Sequence, residues 1–135
     1  MMKDIIILNM KEIKLVIFDM DGTILNTLDD LKDATNVALI KNGFPERSFE
    51  EIKWMVGRGM PKLSHSALPE NHSENDYEKV YKDFLEYYAD HAEDKTCAYD
   101  GIAQAAQDLK KSGYIVTVNS NKNDKDEVIL AEKFF

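Results

Sequence analysis

The sequence predicts an α/β fold whose parallel-sheet core is interrupted by a small helical bundle. Three observations predict it. The apolar run Leu15-Val16-Ile17-Phe18 reads as a short strand and ends in two carboxylates. A second β-branched run, Tyr114-Ile115-Val116-Thr117-Val118, also ends in a polar loop. The residues between the two runs are patterned at helical spacing, so the strands are joined by crossovers that suit a parallel pair.

Residues 1–12 carry an apolar stretch, Ile5 to Leu8, ahead of a second natural start at Met10. They read as an extension, either a misassigned start or an extra strand. The Leu15–Phe18 strand, with four apolar residues in succession, is expected to be buried on both faces. Asp19 and Asp21 follow at i and i+2, a spacing that turns both carboxylates to one side of extended chain. Gly22 permits a sharp turn and close approach of backbone to a ligand. Thr23 adds a hydroxyl beside N–H groups expected to be exposed.

Thr27, with Asp30 three residues on, reads as a helix N-cap. Leu28, Leu31, Thr35, Ala38 and Leu39 share a helical face that Gly43 ends. Ser48 and Glu51 form a capping box for a short helix carrying Ile52, Met55 and Val56. Gly57-Arg58-Gly59 breaks it, Pro61 opens the next helix, and Pro69 stops that one. After a polar connection at residues 70–76, Tyr77, Val80, Tyr81, Phe84, Leu85 and Tyr88 make an amphipathic stripe, read as core with hydroxyls at its rim. Residues 27–94 thus read as a helical insertion between the two parts of an α/β core, residues 1–26 and 95–135. In the second part, Ile102, Ala105, Ala106 and Leu109 form a helix face ended by Gly113. The second strand then runs into Asn119-Ser120-Asn121-Lys122, and Asn123 or Asp124 caps a last helix.

The chemistry sits where each strand ends, because ligands of open α/β sheets bind outside the carboxyl ends of the strands. One carboxylate can attack a phosphoryl group while its neighbour carries a proton to the leaving oxygen and later takes one from water. Two close carboxylates repel unless a cation lies between them, which points to Mg²⁺. An EF-hand loop also opens on D-x-D, but it needs Gly at its sixth position, and that position is Ile24. Ser120 stands after its strand as Asp19 does after the first. Its hydroxyl and the N–H of Asn121 suit phosphoryl oxygens. Arg58, between two glycines, suits a substrate carboxylate or phosphate and equally a solvated connection. His65, His72 and His91 lack ligand spacing. The run Lys122 to Glu127 reads as a solvated loop and helix start.

A hydrophobic strand running into Asp19-Met20-Asp21-Gly22-Thr23 resembles the first motif of the haloacid dehalogenase-like phosphohydrolases. Val118-Asn119-Ser120-Asn121-Lys122 is similar to their second. The resemblance implies a Rossmann-like parallel sheet with a helical cap. It implies Asp19 as nucleophile, Asp21 as general acid and base, and Gly22, Thr23, Ser120 and Asn121 around the phosphoryl group. It also implies Mg²⁺ held at Asp19 and Asp21, the latter through its carbonyl. Met55-Val56-Gly57-Arg58-Gly59 and Ala98-Tyr99-Asp100-Gly101-Ile102 resemble the phosphoglycolate phosphatase branch, which commonly has Tyr-Pro-Gly where this chain has Tyr99-Asp100-Gly101. A small phosphorylated metabolite is the substrate so implied.

In that family a later Lys and a later acidic motif complete the site, and neither follows within this sequence. The rival readings are therefore a catalytically impaired remnant that acts as a binding module, and a phosphosugar mutase of the same superfamily. A two-strand core would also leave one edge of the first strand bare. Asp4–Asn9 folding back onto it, or a second copy of the chain pairing there, are the expected remedies. The balance of 17 basic against 25 acidic residues gives a net charge of −8, which argues against a nucleic-acid footprint. No apolar run is long enough for a membrane span, and a single cysteine, Cys97, fits a reducing cytoplasm.

Overall fold

A computed structural model describes residues 14–135. The Ile5–Leu8 stretch and the strand expected of it lie outside the described residues. Strand β1 (Leu15–Phe18) pairs in parallel with a strand much later in the sequence, Ile115–Val118, with Leu15 opposite Ile115 and Phe18 opposite Val118. Between them the chain forms a two-residue strand β2 (Leu25–Asn26), helices α1 (Leu28–Lys41), α2 (Phe49–Met55), α3 (Met60–Ala67) and α4 (Glu74–His91), then a two-residue strand β3 (Cys97–Ala98) and helix α5 (Ile102–Lys111). The strand Ile115–Val118 is β4, and helix α6 (Asp124–Phe134) follows it. The architecture is α/β, as expected, with six helices and a short parallel sheet among the described residues.

Two apolar clusters organise these elements. The larger joins α1 to α4 through Leu31, Leu39, Ile52, Leu63, Val80, Phe84 and Tyr88. The smaller, around Met20, Ile24, Leu25 and Leu130, takes in Phe18, Ile102 and Val118 and belongs to the sheet and its helices. The link between them is the ribbon of β2 and β3, which pair antiparallel with Leu25 opposite Ala98. The chain thus leaves for the helical bundle and returns from it at one place. Asp30, itself buried, fastens that place: its carboxylate accepts from the Lys95 and Thr96 amides and from the Thr96 hydroxyl at 2.7–3.0 Å.

Local signals set most helix ends. The Ser48–Glu51 capping box is formed in full. A second box, Ser73 with Asp76, starts α4 at Glu74 and takes up the end of the polar connection expected at residues 70–76. Asn123 caps α6 by accepting from the Asp126 amide at 3.0 Å. Gly57 and Gly59 both have positive φ, +110° and +88°, so the break between α2 and α3 uses conformations open to glycine.

Three expectations change. The β1 strand is not buried on both faces: Leu15 is 48% and Ile17 55% exposed, because the helices packed on the sheet cover the Phe18 and Val118 side. Thr27 occupies the N-cap of α1, but its side chain makes no capping bond. Tyr88 is not a rim tyrosine; it is 1% exposed, hydroxyl and all.

Candidate active site

After β1 the chain turns tightly. The N–H groups of Thr23, Ile24 and Leu25 all converge on the Met20 carbonyl at 3.1–3.2 Å, and the Gly22 N–H donates to the Leu25 carbonyl at 2.9 Å. Gly22 has φ +76°, a conformation that this turn needs and that glycine adopts without strain. The amides of Gly22 and Thr23 are therefore occupied by the turn itself, not exposed as expected. The Thr23 side chain is left facing solvent. Asp19, at the strand's end, is exposed, and its carboxylate has no hydrogen-bond or ion-pair partner among the described residues.

Asp21 is the anchored carboxylate. Its Oδ1 accepts from the Thr27 hydroxyl at 2.6 Å, and the Lys122 ammonium lies 3.3 Å from the same oxygen. Among the described residues nothing donates to Oδ2. The Thr27 hydroxyl, freed from capping its own helix, thus fixes the orientation of Asp21, and Oδ2 remains available to a ligand.

Lys122 is the residue that the sequence does not disclose. It was expected in a solvated loop, yet it is 5% exposed. Its ammonium donates to the Tyr88 hydroxyl at 2.8 Å and sits 4.8 Å from the centre of that ring. Burial of a lysine requires such partners, because an unpaired ammonium away from water is costly. Burial, and after it the negative charge of Asp21, pushes the Tyr88 phenol well above its usual range, so it stays protonated. The cation beside the first motif is therefore a residue of the second motif. Lys122 thus sets a positive charge against one of the two carboxylates.

The second-motif loop also grips the bundle. The Asn121 side-chain amide donates to the Gly57 carbonyl at 3.0 Å. Gly59 passes so near the Asn121 carbonyl that a Cβ there would sit 3.1 Å from it. Ser120 is half-buried, and its hydroxyl accepts from the Lys122 amide at 3.1 Å. Arg58 is exposed between the two glycines. A cavity of about 240 Å³ opens beside Asp21, walled by Asn26, Thr27, Leu28, Lys53, Val56, Gly57 and Tyr99; Arg58 is not part of its wall.

The residues suit Mg²⁺ only as a sparsely held ion. Mg²⁺ is commonly bound by one or two protein oxygens, with waters and substrate phosphate completing its shell. The unpartnered Asp19 carboxylate fits such a site, whereas the Oδ1 of Asp21 is already occupied by Thr27 and Lys122. No group of three or more His, Cys, Asp or Glu side chains among the described residues is placed to enclose a metal. None of their helices is long and apolar enough to cross a membrane.

Known proteins share this sequence and fold. Phosphoglycolate phosphatase of Chromobacterium violaceum is 35% identical over 130 residues, which cover 93% of this chain and 59% of that protein. The phosphoglycolate phosphatase of Mesorhizobium japonicum is 28% identical, over 87% of this chain and 53% of its own length. The crystal structure of a predicted phosphoglycolate phosphatase from Haemophilus somnus superposes with a TM-score of 0.85 at 28% identity, over 91% of this chain and 58% of that one. The chain thus spans somewhat more than half the length of the relatives it matches. The profile of the haloacid dehalogenase-like hydrolases matches residues 16–134. From Val16 to Phe134, then, this chain belongs to the haloacid dehalogenase-like hydrolases.

Proposed function

We propose that the chain serves a phosphatase that hydrolyses a small phosphate monoester of the phosphoglycolate kind through an aspartyl phosphate. The observation that carries this reading is the unequal state of the two carboxylates. Asp19 is exposed and unpartnered, as a nucleophile must be, while Asp21 is held by Thr27 at 2.6 Å with one oxygen left open. A Lys122 ammonium at 3.3 Å completes the anchorage.

In this reading an Asp19 oxygen attacks phosphorus, and the bond from phosphorus to the ester oxygen breaks. Asp21 delivers its proton from Oδ2 to that departing oxygen, which leaves as an alcohol. Asp21 then takes a proton from water as the water attacks the acyl phosphate. Phosphate leaves and the Asp19 carboxylate is restored. Ser120 and the Asn121 N–H are the donors assigned to phosphoryl oxygens. Mg²⁺, held by Asp19 and the Asp21 carbonyl when bound, would neutralise charge on those oxygens. Phosphoryl transfer depends chiefly on positioned charge, so Thr27 and Lys122 contribute by fixing Asp21. The bundle's hold on Asn121 and Lys122 brings the cap to the same place.

The test is hydrolysis of p-nitrophenyl phosphate with Mg²⁺ by the wild-type chain and by Asp19→Asn. The expected result is turnover that the substitution abolishes. Equal rates in the two would remove the enzymatic reading and leave the binding-module alternative.

A further inference from the structure

Tyr88 has no role in the steps above, although a single side chain separates its hydroxyl from the proton carrier. We infer that Tyr88 is a positioning residue: its buried hydroxyl holds the Lys122 ammonium against Asp21, so that helix α4 of the bundle sets how well the general acid serves the leaving oxygen. The inference rests on the phosphatase reading and adds a residue to it.

A lysine ammonium stands on a flexible four-carbon stem, so it keeps one place only where its partners fix it. The Lys122 ammonium donates to the Tyr88 hydroxyl at 2.8 Å and sits 4.8 Å from the centre of the same ring. Among the described residues its carboxylate partner is Asp21, at 3.3 Å. Tyr88 is itself held firmly. It is 1% exposed, it stacks on Phe84 with 5.5 Å between ring centres, and it belongs to the larger apolar cluster. A ring fixed by packing offers its hydroxyl at a fixed point. The seam between bundle and core is also nearly dry here. Leu31, Met60 and Leu63 meet Asp21 and Lys122 across a void of about 10 Å³, no larger than the space of one water molecule. With so little water on this side, the attraction between ammonium and carboxylate is weakly screened. Oδ1 of Asp21 is thus held from two directions, by Thr27 at the start of α1 and by Lys122. Oδ2 is left for the proton. Thr27 lies at the junction with the core, whereas Tyr88 lies well inside α4. The Tyr88 contact therefore ties the general acid to the interior of the bundle. Taking away the hydroxyl alone leaves the ring and its packing, and frees the ammonium to turn from Oδ1.

The test measures kcat/KM for 2-phosphoglycolate and for p-nitrophenyl phosphate in wild type, Tyr88→Phe and Gly43→Ala. This quantity covers the steps up to departure of the alcohol. The oxygen of glycolate is a poor leaving group that needs the proton of Asp21, whereas nitrophenolate departs without one. A misplaced general acid therefore slows the first ester and spares the second, while a general loss of folded protein slows both. General acid catalysis is worth about 10²–10⁴ in rate, so Tyr88→Phe should lower the phosphoglycolate value about tenfold and leave the nitrophenyl value within about twofold. Gly43→Ala strains the backbone at the end of α1 remote from Thr27, and should not discriminate between the esters. Equal losses on both esters in Tyr88→Phe, or no loss, overturn the inference and leave the phosphatase reading intact. So does a Gly43→Ala that discriminates as Tyr88→Phe does. A wild type that hydrolyses p-nitrophenyl phosphate alone also overturns the inference, because a well-held acid serves the alkyl ester. A wild type that hydrolyses neither ester overturns both.

Discussion

The ammonium of Lys122 lies 2.8 Å from the hydroxyl of Tyr88, joining the loop after β4 to helix α4 of the bundle. The same ammonium lies 3.3 Å from Asp21, so one buried side chain touches the bundle, the second motif and the first. Replacing it removes a partner from two groups at once. Lys122→Met should destabilise the chain by about 2–4 kcal/mol, because it leaves a half-buried carboxylate and a buried phenol short of a partner. Tyr88→Phe should cost about 1 kcal/mol. Urea unfolding of the single and double variants should give a coupling energy of at least roughly 0.5 kcal/mol, whereas strict additivity would mean that the contact is not formed.

Gly59 tests the grip from the other side. Its φ of +88° strains any residue with a Cβ, and a Cβ there would also meet the Asn121 carbonyl at 3.1 Å. Gly43 has a similar φ, +79°, with open space around it. Gly43→Ala should therefore cost about 1 kcal/mol, from backbone strain alone. Gly59→Ala should cost more, and the excess measures the contact between loop and bundle. Equal losses in thermal unfolding would show that no close approach exists.

Asp30 holds the point where the chain leaves and rejoins the core. Asp30→Ala removes the acceptor for two amides and a hydroxyl. Their loss should lower stability by about 2–4 kcal/mol. It should also speed proteolytic cleavage near residues 92–96, since local opening tracks the loss of such ties. Cleavage there at the wild-type rate would contradict the assigned role.

Acid should loosen the bundle first. A hydrogen bond from Lys41 and, after the opposing effect of burial, another from Asn42 hold the Asp83 carboxyl below its usual value of 3.8 and tie α1 to α4. A carboxylate with a lowered folded-state pKa adds stability above its unfolded value, and that stability is lost as pH falls through the folded value. Asp83→Asn should therefore be less stable than wild type at pH 7, and the two should converge as the pH drops below about 3.8. A difference that persists unchanged at lower pH would point to packing in place of charge.

What was legible in the sequence was local. The turn of Asp19 to Thr23 and the capping box of Ser48 with Glu51 depend on residues a few positions apart, and both formed where the pattern put them. Groups with a choice of partners were not legible. The Thr27 hydroxyl had a local amide to cap and took Asp21 instead, six residues back. Lys122 sits in a run of Lys, Asn and Asp that any reading of polarity assigns to solvent. Its burial depends on Tyr88, 34 residues away. The same holds for β2 and β3, whose two-residue strands have no pattern until they pair. The exposed face of β1 was missed because four apolar residues specify a strand but not the number of layers that cover it.

The central claim is that Asp19 receives the phosphoryl group. It is tested most directly by acid-quenching the chain during turnover of phosphoglycolate with Mg²⁺ and mapping the modified peptide by mass spectrometry. The account predicts a phosphoryl adduct on Asp19 of the wild type, acid-stable and base-labile, which is absent from Asp19→Asn. Phosphate release by the wild type with no adduct on Asp19, or an adduct on another residue, would contradict it.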